Sequence, residues 1–290
     1  SPSVDAGIAV SVCRNNAAVS LSGTVGVATG GIWSGGAGSF TPNNTTLNAT
    51  YTPTPAELAL GTLTLTLTST GNGNCNAVSD SKVITFTPAP TVDAGANGTV
   101  CANNSAITLA GALTGASGVT WSGGTGTYNP NNTTLNAVYT PSAAERTAGT
   151  VTLTLTTTGN GNCNAVNDQV TYSITAAPTA NAGADRVLCA NNAATGLSGA
   201  FSIATGGIWS GGTGTFSPSI NALNAVYTPS TSELANGSVT ITLSSTGNGS
   251  CASVSDQMTI FFSQSPVVNA GLDRTVCAND PTVILNGSVT

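Results

Sequence analysis

One spacing governs this chain. Cys13, Cys101, Cys189 and Cys277 follow one another every 88 residues. Cys75, Cys163 and Cys251 keep the same step, and so do Trp33, Trp121 and Trp209, Tyr51, Tyr139 and Tyr227, and Glu57, Glu145 and Glu233. Asp80, Asp168 and Asp256 keep it too, and Pro2, Pro90, Pro178 and Pro266 fall at the joins. Self-similarity at a fixed period decides architecture before any residue-level reasoning. A period of 88 residues is too long for a solenoid turn and suits a small autonomous domain. The expectation is a linear array: repeat 1 over 1–88, repeat 2 over 89–176, repeat 3 over 177–264, and the N-terminal part of a truncated repeat 4 over 265–290. The joins Pro88-Ala89-Pro90, Ala176-Ala177-Pro178 and Gln264-Ser265-Pro266 are short and stiffened by proline. They favour an extended rod, at about 35–45 Å per repeat.

Within a repeat the pattern has period two. Leu and Thr alternate through Leu63-Thr64-Leu65-Thr66-Leu67-Thr68, and Val151–Leu155 and Val239–Leu243 repeat the alternation. That is the mark of a half-buried strand of an antiparallel sheet. Gly71-Asn72-Gly73-Asn74 then signals a hairpin, with a return strand at Lys82–Phe86. Further strands fit Val10–Cys13, Val19–Gly23, Gly31–Ser34, Ser39–Thr41 and Leu47–Thr52, with one short helical turn at Pro55–Ala59 capped by Glu57. About seven short strands per repeat predict an all-β chain of tandem immunoglobulin-like antiparallel β-sandwich domains. Trp33, Trp121 and Trp209, with Tyr51, Tyr139 and Tyr227, are the expected core aromatics. The Gly pairs on either side of Trp33 leave open a second reading, an exposed platform on which sugars stack.

Charge excludes much of chemistry. There are 5 Lys or Arg, 11 Asp or Glu and no His in 290 residues, against about a quarter charged in ordinary globular chains. Five basic residues do not neutralise a nucleic-acid backbone. No apolar run approaches the ~20 residues of a spanning helix, so no membrane insertion is expected. Without His and with a single Lys, the usual bases for a Ser or Cys nucleophile are missing, and no enzyme is expected. Ser1-Pro2-Ser3-Val4 has neither the basic start nor the apolar stretch of a signal peptide, and the chain reads as a piece of something longer.

Seven cysteines fall as three pairs and a remainder. The natural pairing is Cys13–Cys75, Cys101–Cys163 and Cys189–Cys251, a link over about 62 residues worth about 4 kcal/mol in the chain-entropy model. It leaves Cys277 unpaired. A rival pairing joins Cys75 to Cys101 across neighbours. The first pairing carries a difficulty, because the first turn and the last hairpin of a standard sandwich lie at opposite ends. Either way, disulfides place the protein in an oxidising compartment, secreted or on a cell surface.

No cofactor is required by these residues, but calcium enters as a candidate. Asp5 and Asp93 stand beside the joins, and Asp80, Asp168 and Asp256 precede the last strand. Asn181 and Asn269 replace the first Asp in the later repeats, which favours turn capping over a shared metal site. The outward Thr rows admit ice binding or glycan attachment at sequons such as Asn44-Thr45-Thr46 and Asn132-Thr133-Thr134, against the plain reading that Thr suits an exposed strand.

Val-Asp-Ala-Gly (4–7), Val-Cys-Arg-Asn-Asn (12–16), Leu-Ser-Gly (21–23), Gly-Ile-Trp-Ser-Gly-Gly-Ala-Gly-Ser-Phe (31–40), Tyr-Thr-Pro (51–53) and Gly-Asn-Gly-Asn-Cys (71–75) together carry a resemblance. The pattern resembles the immunoglobulin-like, PKD-like tandem repeats of large secreted surface proteins of Bacteroidota, of which the giant gliding adhesins are examples. Ser34-Gly35-Gly36 stands where the PKD type has an Asp/Gly-rich turn. The resemblance implies export by the type IX route and a place in surface fibres, adhesion or gliding. The expected function is a mechanical stalk or filament segment of a surface adhesin, with neighbouring repeats of the same longer chain as partners. One alternative is a fibre or sheath subunit that packs against other copies, residues 265–290 lending strands to a neighbour. Another is a module that binds surface glycans through loops of the Trp33 type.

Overall fold

The Leu/Thr alternation becomes the longest strand of each repeat. The computed structural model describes residues 1–290. In the first repeat the chain runs β1 (Ser3–Asp5), β2 (Val10–Cys13), β3 (Val19–Ser20), β4 (Thr24–Gly26), β5 (Gly30–Ser34), β6 (Ser39–Thr41), β7 (Thr50–Thr52), α1 (Pro55–Leu60), β8 (Thr62–Thr70) and β9 (Ser79–Thr87). One layer is a four-stranded sheet in the order β2-β9-β8-β5; the other contains β3-β7-β6, and β1 pairs with β4. In β8, Leu65 and Leu67 are buried while Thr62, Thr64 and Thr70 face solvent. Leu65 and Leu67 meet Trp33, Tyr51, Ile84 and Phe86 in one core. The chain is all-β and immunoglobulin-like, with two sheet layers closing over an apolar interior.

The same register recurs. Trp33 stands opposite Leu67, Trp121 opposite Leu155 and Trp209 opposite Leu243. The long hairpins are Thr62–Thr70 with Ser79–Thr87, Thr150–Thr158 with Asn167–Thr175, and Ser238–Thr246 with Ser255–Ser263. On their outer faces hydroxyls pair across strands, Thr66 with Ser81 at 3.2 Å, Thr152 with Thr171 at 2.9 Å and Thr240 with Thr259 at 3.1 Å.

Two features depart from the expected pattern. The pairing is not antiparallel throughout: β2 runs parallel to β9, Val10 opposite Ile84 and Cys13 opposite Thr87. The cause is local. β1 pairs antiparallel with β4, and the chain then crosses to the other layer without reversing. Ala6 donates its N–H to Asp80 Oδ2 at 2.8 Å, and Gly7 adopts φ +74°, a conformation that a side chain rarely tolerates. In addition, Gly71-Asn72-Gly73-Asn74 opens an eight-residue connection between Thr70 and Ser79. It is closed by Ser69 N–H to Val78 O at 2.9 Å and Val78 N–H to Ser69 Oγ at 3.0 Å.

The chain divides into two compact units, Ser1–Thr99 with Ala106–Ile174, and Val100–Ser105 with Thr175–Thr290. In the second, Trp209, Tyr227, Ile241, Leu243, Met258 and Ile260 form the core. Residues 265–290 form only the counterparts of β1 and β4, with Val268–Asn269 pairing with Ser288–Val289. Every residue from Pro266 onward is exposed. No helix is long and apolar enough to cross a membrane.

Candidate functional site

The cysteines form a clasp between successive repeats. Cys13 ends β2, and a tight turn follows in which Asn16 N–H donates to Cys13 O at 2.9 Å. Arg14 N–H donates to Thr87 O at 3.0 Å, tying that turn to the end of β9. The partner is the loop at 159–166. Its glycines Gly159 and Gly161 have φ +64° and +60°, so the chain can curl, and Cys163 N–H donates to Asn160 O at 3.0 Å. Cys13 and Cys163 are disulfide-bonded, with Cα atoms 4.9 Å apart and 150 residues between them in sequence.

Asparagines complete the joint. Asn15 Nδ2 donates to Asn164 O at 3.0 Å, and Asn15 Oδ1 accepts from Asn164 N–H at 3.1 Å. Asn164 Nδ2 returns a bond to Asn15 O at 2.8 Å, and Asn16 Nδ2 donates to Asn162 O at 3.2 Å. Both sulfurs stand 3.7 Å from the carbonyl oxygen of Pro88, so the disulfide lies against the proline join. Such exposed amide bonds are individually worth about 1 kcal/mol or less. Their collective effect is to orient the two halves, and the covalent bond supplies permanence.

The second unit holds the same joint. Cys101 is bonded to Cys251, again 4.9 Å between Cα atoms and 150 residues apart. Asn103 exchanges two bonds with Ala252, at 3.0 and 3.1 Å, and Asn104 Nδ2 donates to Ser250 O at 3.2 Å. Ser250 and Ala252 replace Asn162 and Asn164, so the return bond from the loop is lost. Here both sulfurs stand 3.7 Å from Ala176 O.

This corrects the expected connectivity. Cys13–Cys75, Cys101–Cys163 and Cys189–Cys251 are not formed, nor is Cys75–Cys101; Cys75, Cys189 and Cys277 are free thiols. The parallel β2–β9 pair is the reason. It puts Cys13 beside Thr87, at the end of a nine-residue strand whose start, Ser79, follows the Cys75 loop. The two cysteines are therefore separated by roughly 26 Å, whereas a disulfide needs Cα atoms within about 7 Å. The polar surroundings of both cysteines, Arg14-Asn15-Asn16 on one side and Asn162 and Asn164 on the other, were the available signal that each belongs to an exposed end.

The recurring aromatics and carboxylates are internal. Trp33 and Trp121 are fully buried and Trp209 is 1% exposed, which rules out their rings as sugar platforms. Trp33 Nε1 donates to Leu47 O at 3.2 Å. A Cβ on Gly36 or Gly38 would run into the Tyr51 ring, so these glycines admit that ring and do not hold a loop open. Asn44 and Asn132 spend their carboxamides on Trp33 O and Trp121 O, both at 3.1 Å.

Glu57 lies in α1 and closes a capping box with Thr54, as Glu145 does with Ser142 in α2 (Ala143–Ala148) and Glu233 with Ser230 in α3 (Thr231–Asn236). Its other oxygen reaches inward, accepting from Tyr51 OH at 2.7 Å and from Ala37 N–H at 2.7 Å. Burial raises the Glu57 pKa, but the bonds from Thr54, Tyr51 and Ala37 outweigh it and hold the carboxyl down at about 2. Burial and the Glu57 bond push Tyr51 up to about 12. Neither group changes its charge near neutral pH, and both serve the fold.

The calcium candidates each carry a backbone amide. Asp5 Oδ1 accepts from Gly7 N–H at 2.7 Å, and Asp93 Oδ1 from Gly95 N–H at 2.8 Å. Asp80, Asp168 and Asp256 accept from Ala6, Ala94 and Ala182, each at 2.8 Å. Asn181 and Asn269 accept from Gly183 and Gly271, each at 2.8 Å, in the place of Asp5. That role asks for one carbonyl-type oxygen and no charge, which explains the exchange of Asp for Asn.

Sheets and core together define an all-β chain of tandem immunoglobulin-like β-sandwich repeats. No family model matches the chain, and no curated protein matches it. Solved structures do. It is similar to the extracellular cadherin domains 3–6 of protocadherin gamma B2, at 12% identity and TM-score 0.33, over 96% of this chain and 77% of that one. It is also similar to domains EC22–24 of mouse cadherin-23, at 11% identity and TM-score 0.36, over 91% and 99% of the two chains. A third likeness is to titin domains I67–I69 (an E-to-A variant), at 11% identity and TM-score 0.42, over 90% and 98%. These likenesses concern the fold alone.

Proposed function

We propose that the chain is a covalently locked spacer, a stalk segment of an extracellular bacterial surface adhesin of the Bacteroidota gliding type. Each 88-residue repeat serves as one module, and its partners are the neighbouring repeats. The observation that carries this reading is the pair of clasps, Cys13–Cys163 and Cys101–Cys251, each straddling a proline join. A catalytic or ligand-binding module gains little from such a lock. A load-bearing one gains a fixed join and a limit on extension. The near absence of charge, with Thr rows outward, suits a surface that contacts water and little else. No catalysis and no metal is assigned to it. Negative-stain imaging tests the reading: straight thin particles that become bent at the joins on reduction support it. Particles equally straight with and without reductant would remove the clasp from its mechanical role.

A further inference from the structure

Both halves of the clasp have their shape without the disulfide. The loop around the free thiol Cys75 closes with Cys75 N–H to Asn72 O at 3.1 Å, as the docked loop does with Cys163 N–H to Asn160 O at 3.0 Å. Gly71 and Gly73 have φ +66° and +60°, against +64° and +60° at Gly159 and Gly161. The turn at the free thiol Cys277 has Asp280 N–H on Cys277 O at 3.0 Å, as Asn16 N–H lies on Cys13 O at 2.9 Å. Two preformed surfaces can therefore meet before any bond joins their sulfurs. The two clasps meet with unequal contacts. Asn15 with Asn16, and Asn103 with Asn104, make the same three bonds to the loop. Only the first clasp adds two from its loop, Asn164 Nδ2 to Asn15 O at 2.8 Å and Asn162 Nδ2 to Ser11 O at 3.4 Å. Ala252 and Ser250 stand at those places in the second.

The cysteines need a guide. In an unfolded chain, closing the about 62 residues from Cys13 to Cys75 is favoured about fourfold over closing the 150 residues to Cys163. We propose that the asparagines choose the partner: Asn15, Asn16, Asn162 and Asn164 are positioning residues that seat the 159–166 loop on the 13–16 turn before oxidation, and Asn103 and Asn104 do the same for the second clasp. Folding of the repeat first carries Cys13 and Cys75 to opposite ends of β9. Docking then holds the sulfurs of the right pair together beside Pro88 O. A disulfide oxidant such as oxidised glutathione completes the bond. The half-buried Cys163 attacks it as thiolate, forming a mixed disulfide and releasing one glutathione thiolate. The Cys13 thiolate then attacks the Cys163 sulfur and releases the second. Two cysteine thiols are oxidised, one glutathione disulfide is reduced to two thiols, and the two cysteine protons pass to them. The second step is intramolecular, and docking speeds it by raising the effective concentration of Cys13. The first clasp, with two more bonds, closes faster than the second. This concerns how the clasps form and does not depend on the spacer reading.

The full chain is reduced without denaturant, its fold is checked by circular dichroism, and it is reoxidised in a buffer of oxidised and reduced glutathione. Alkylation with iodoacetamide at timed points, followed by peptide mapping, reads each bond separately. In the wild type, Cys13–Cys163 closes about fivefold faster than Cys101–Cys251. Asn15→Ala with Asn164→Ala slows the first closure about tenfold, with glutathione accumulating on Cys163, and leaves the second unchanged as an internal control. Ala252→Asn supplies the missing return bond to Asn103 O and speeds the second closure about threefold. A residue that served only the stability of the fold would not speed one clasp alone. The proposal is overturned by equal closure of the two wild-type clasps, by an unchanged first rate in the double Asn variant, by equal slowing of both clasps, or by no gain from Ala252→Asn. Imaging of the joins tests the spacer reading separately.

Discussion

Pulling one chain by its two ends provides a quantitative test of the clasps. Without disulfides, 290 residues extend to roughly 1,000 Å. With both clasps closed, the taut path runs from residue 1 to Cys13, crosses to Cys163, runs back to Cys101, crosses to Cys251 and ends at residue 290. That path holds roughly 110 residues, or about 400 Å. Total length alone does not separate this connectivity from bonds inside each repeat, which would give a similar limit. The double variant Cys75→Ser, Cys189→Ser does separate them. Both residues are free thiols, so the limit should remain at about 400 Å. Bonds within repeats would lose two of their three links in this variant, and the chain would extend to roughly 800 Å. Single-molecule force spectroscopy with handles at the termini reads the difference directly. An increase of several hundred ångströms over wild type would refute the clasp. Added reductant should bring every version to the same length near 1,000 Å.

Other consequences follow from the repeat interior. Glu57 has its folded pKa depressed to about 2 from an ordinary 4.5. Its stabilising contribution is therefore present above pH 4.5 and lost as pH falls toward 2, and acid titration by circular dichroism should show it. Glu57→Gln should flatten that acid limb for the first repeat. Tyr51, raised to about 12 from 10, contributes with the opposite sign, its share being lost as pH rises from 10 to 12. Lys82 is buried opposite Leu65, where the later repeats have Val170 and Met258, and its ammonium finds Ile8 O at 2.6 Å. Lys82→Met should stabilise the first repeat by roughly 1 kcal/mol, measured as slower amide exchange in β8 and β9. Asp5→Asn should change stability by less than about 0.5 kcal/mol, because Asn181 and Asn269 already fill that position. A calcium chelator should leave the melting temperature of the wild type unmoved; a drop of several degrees would bring the metal back.

What could be read in advance, and what could not, divides along one physical line. Local and periodic signals were legible. The Leu/Thr alternation predicted β8 and its buried face, Trp33 and Tyr51 predicted the core, and Glu57 predicted the cap, whose partner Thr54 only the structure identifies. Quantities that depend on the direction of a strand in three dimensions were not. The reach of Glu57 to Ala37, twenty residues away, needs the β5–β6 connection folded over α1. The parallel course of β2 turns on one crossover, Asp5-Ala6-Gly7, held by Asp80. Reversing that strand would move Cys13 to the other end of the sandwich.

The disulfides show why a periodic chain conceals its connectivity. Every cysteine recurs, so a link within a repeat, a link to the next linker and a link to the next repeat's loop all obey the same period. Counting leftovers favours the first, since it strands Cys277 alone, while the observed pattern strands Cys75, Cys189 and Cys277. That criterion suits an isolated domain, where an unpaired cysteine is an anomaly. In an array whose bonds cross the joins, it selects the wrong answer. Each bond takes its turn from one repeat and its loop from the next, 150 residues on, and the direction of the bonds is read from that order, turn first and loop second.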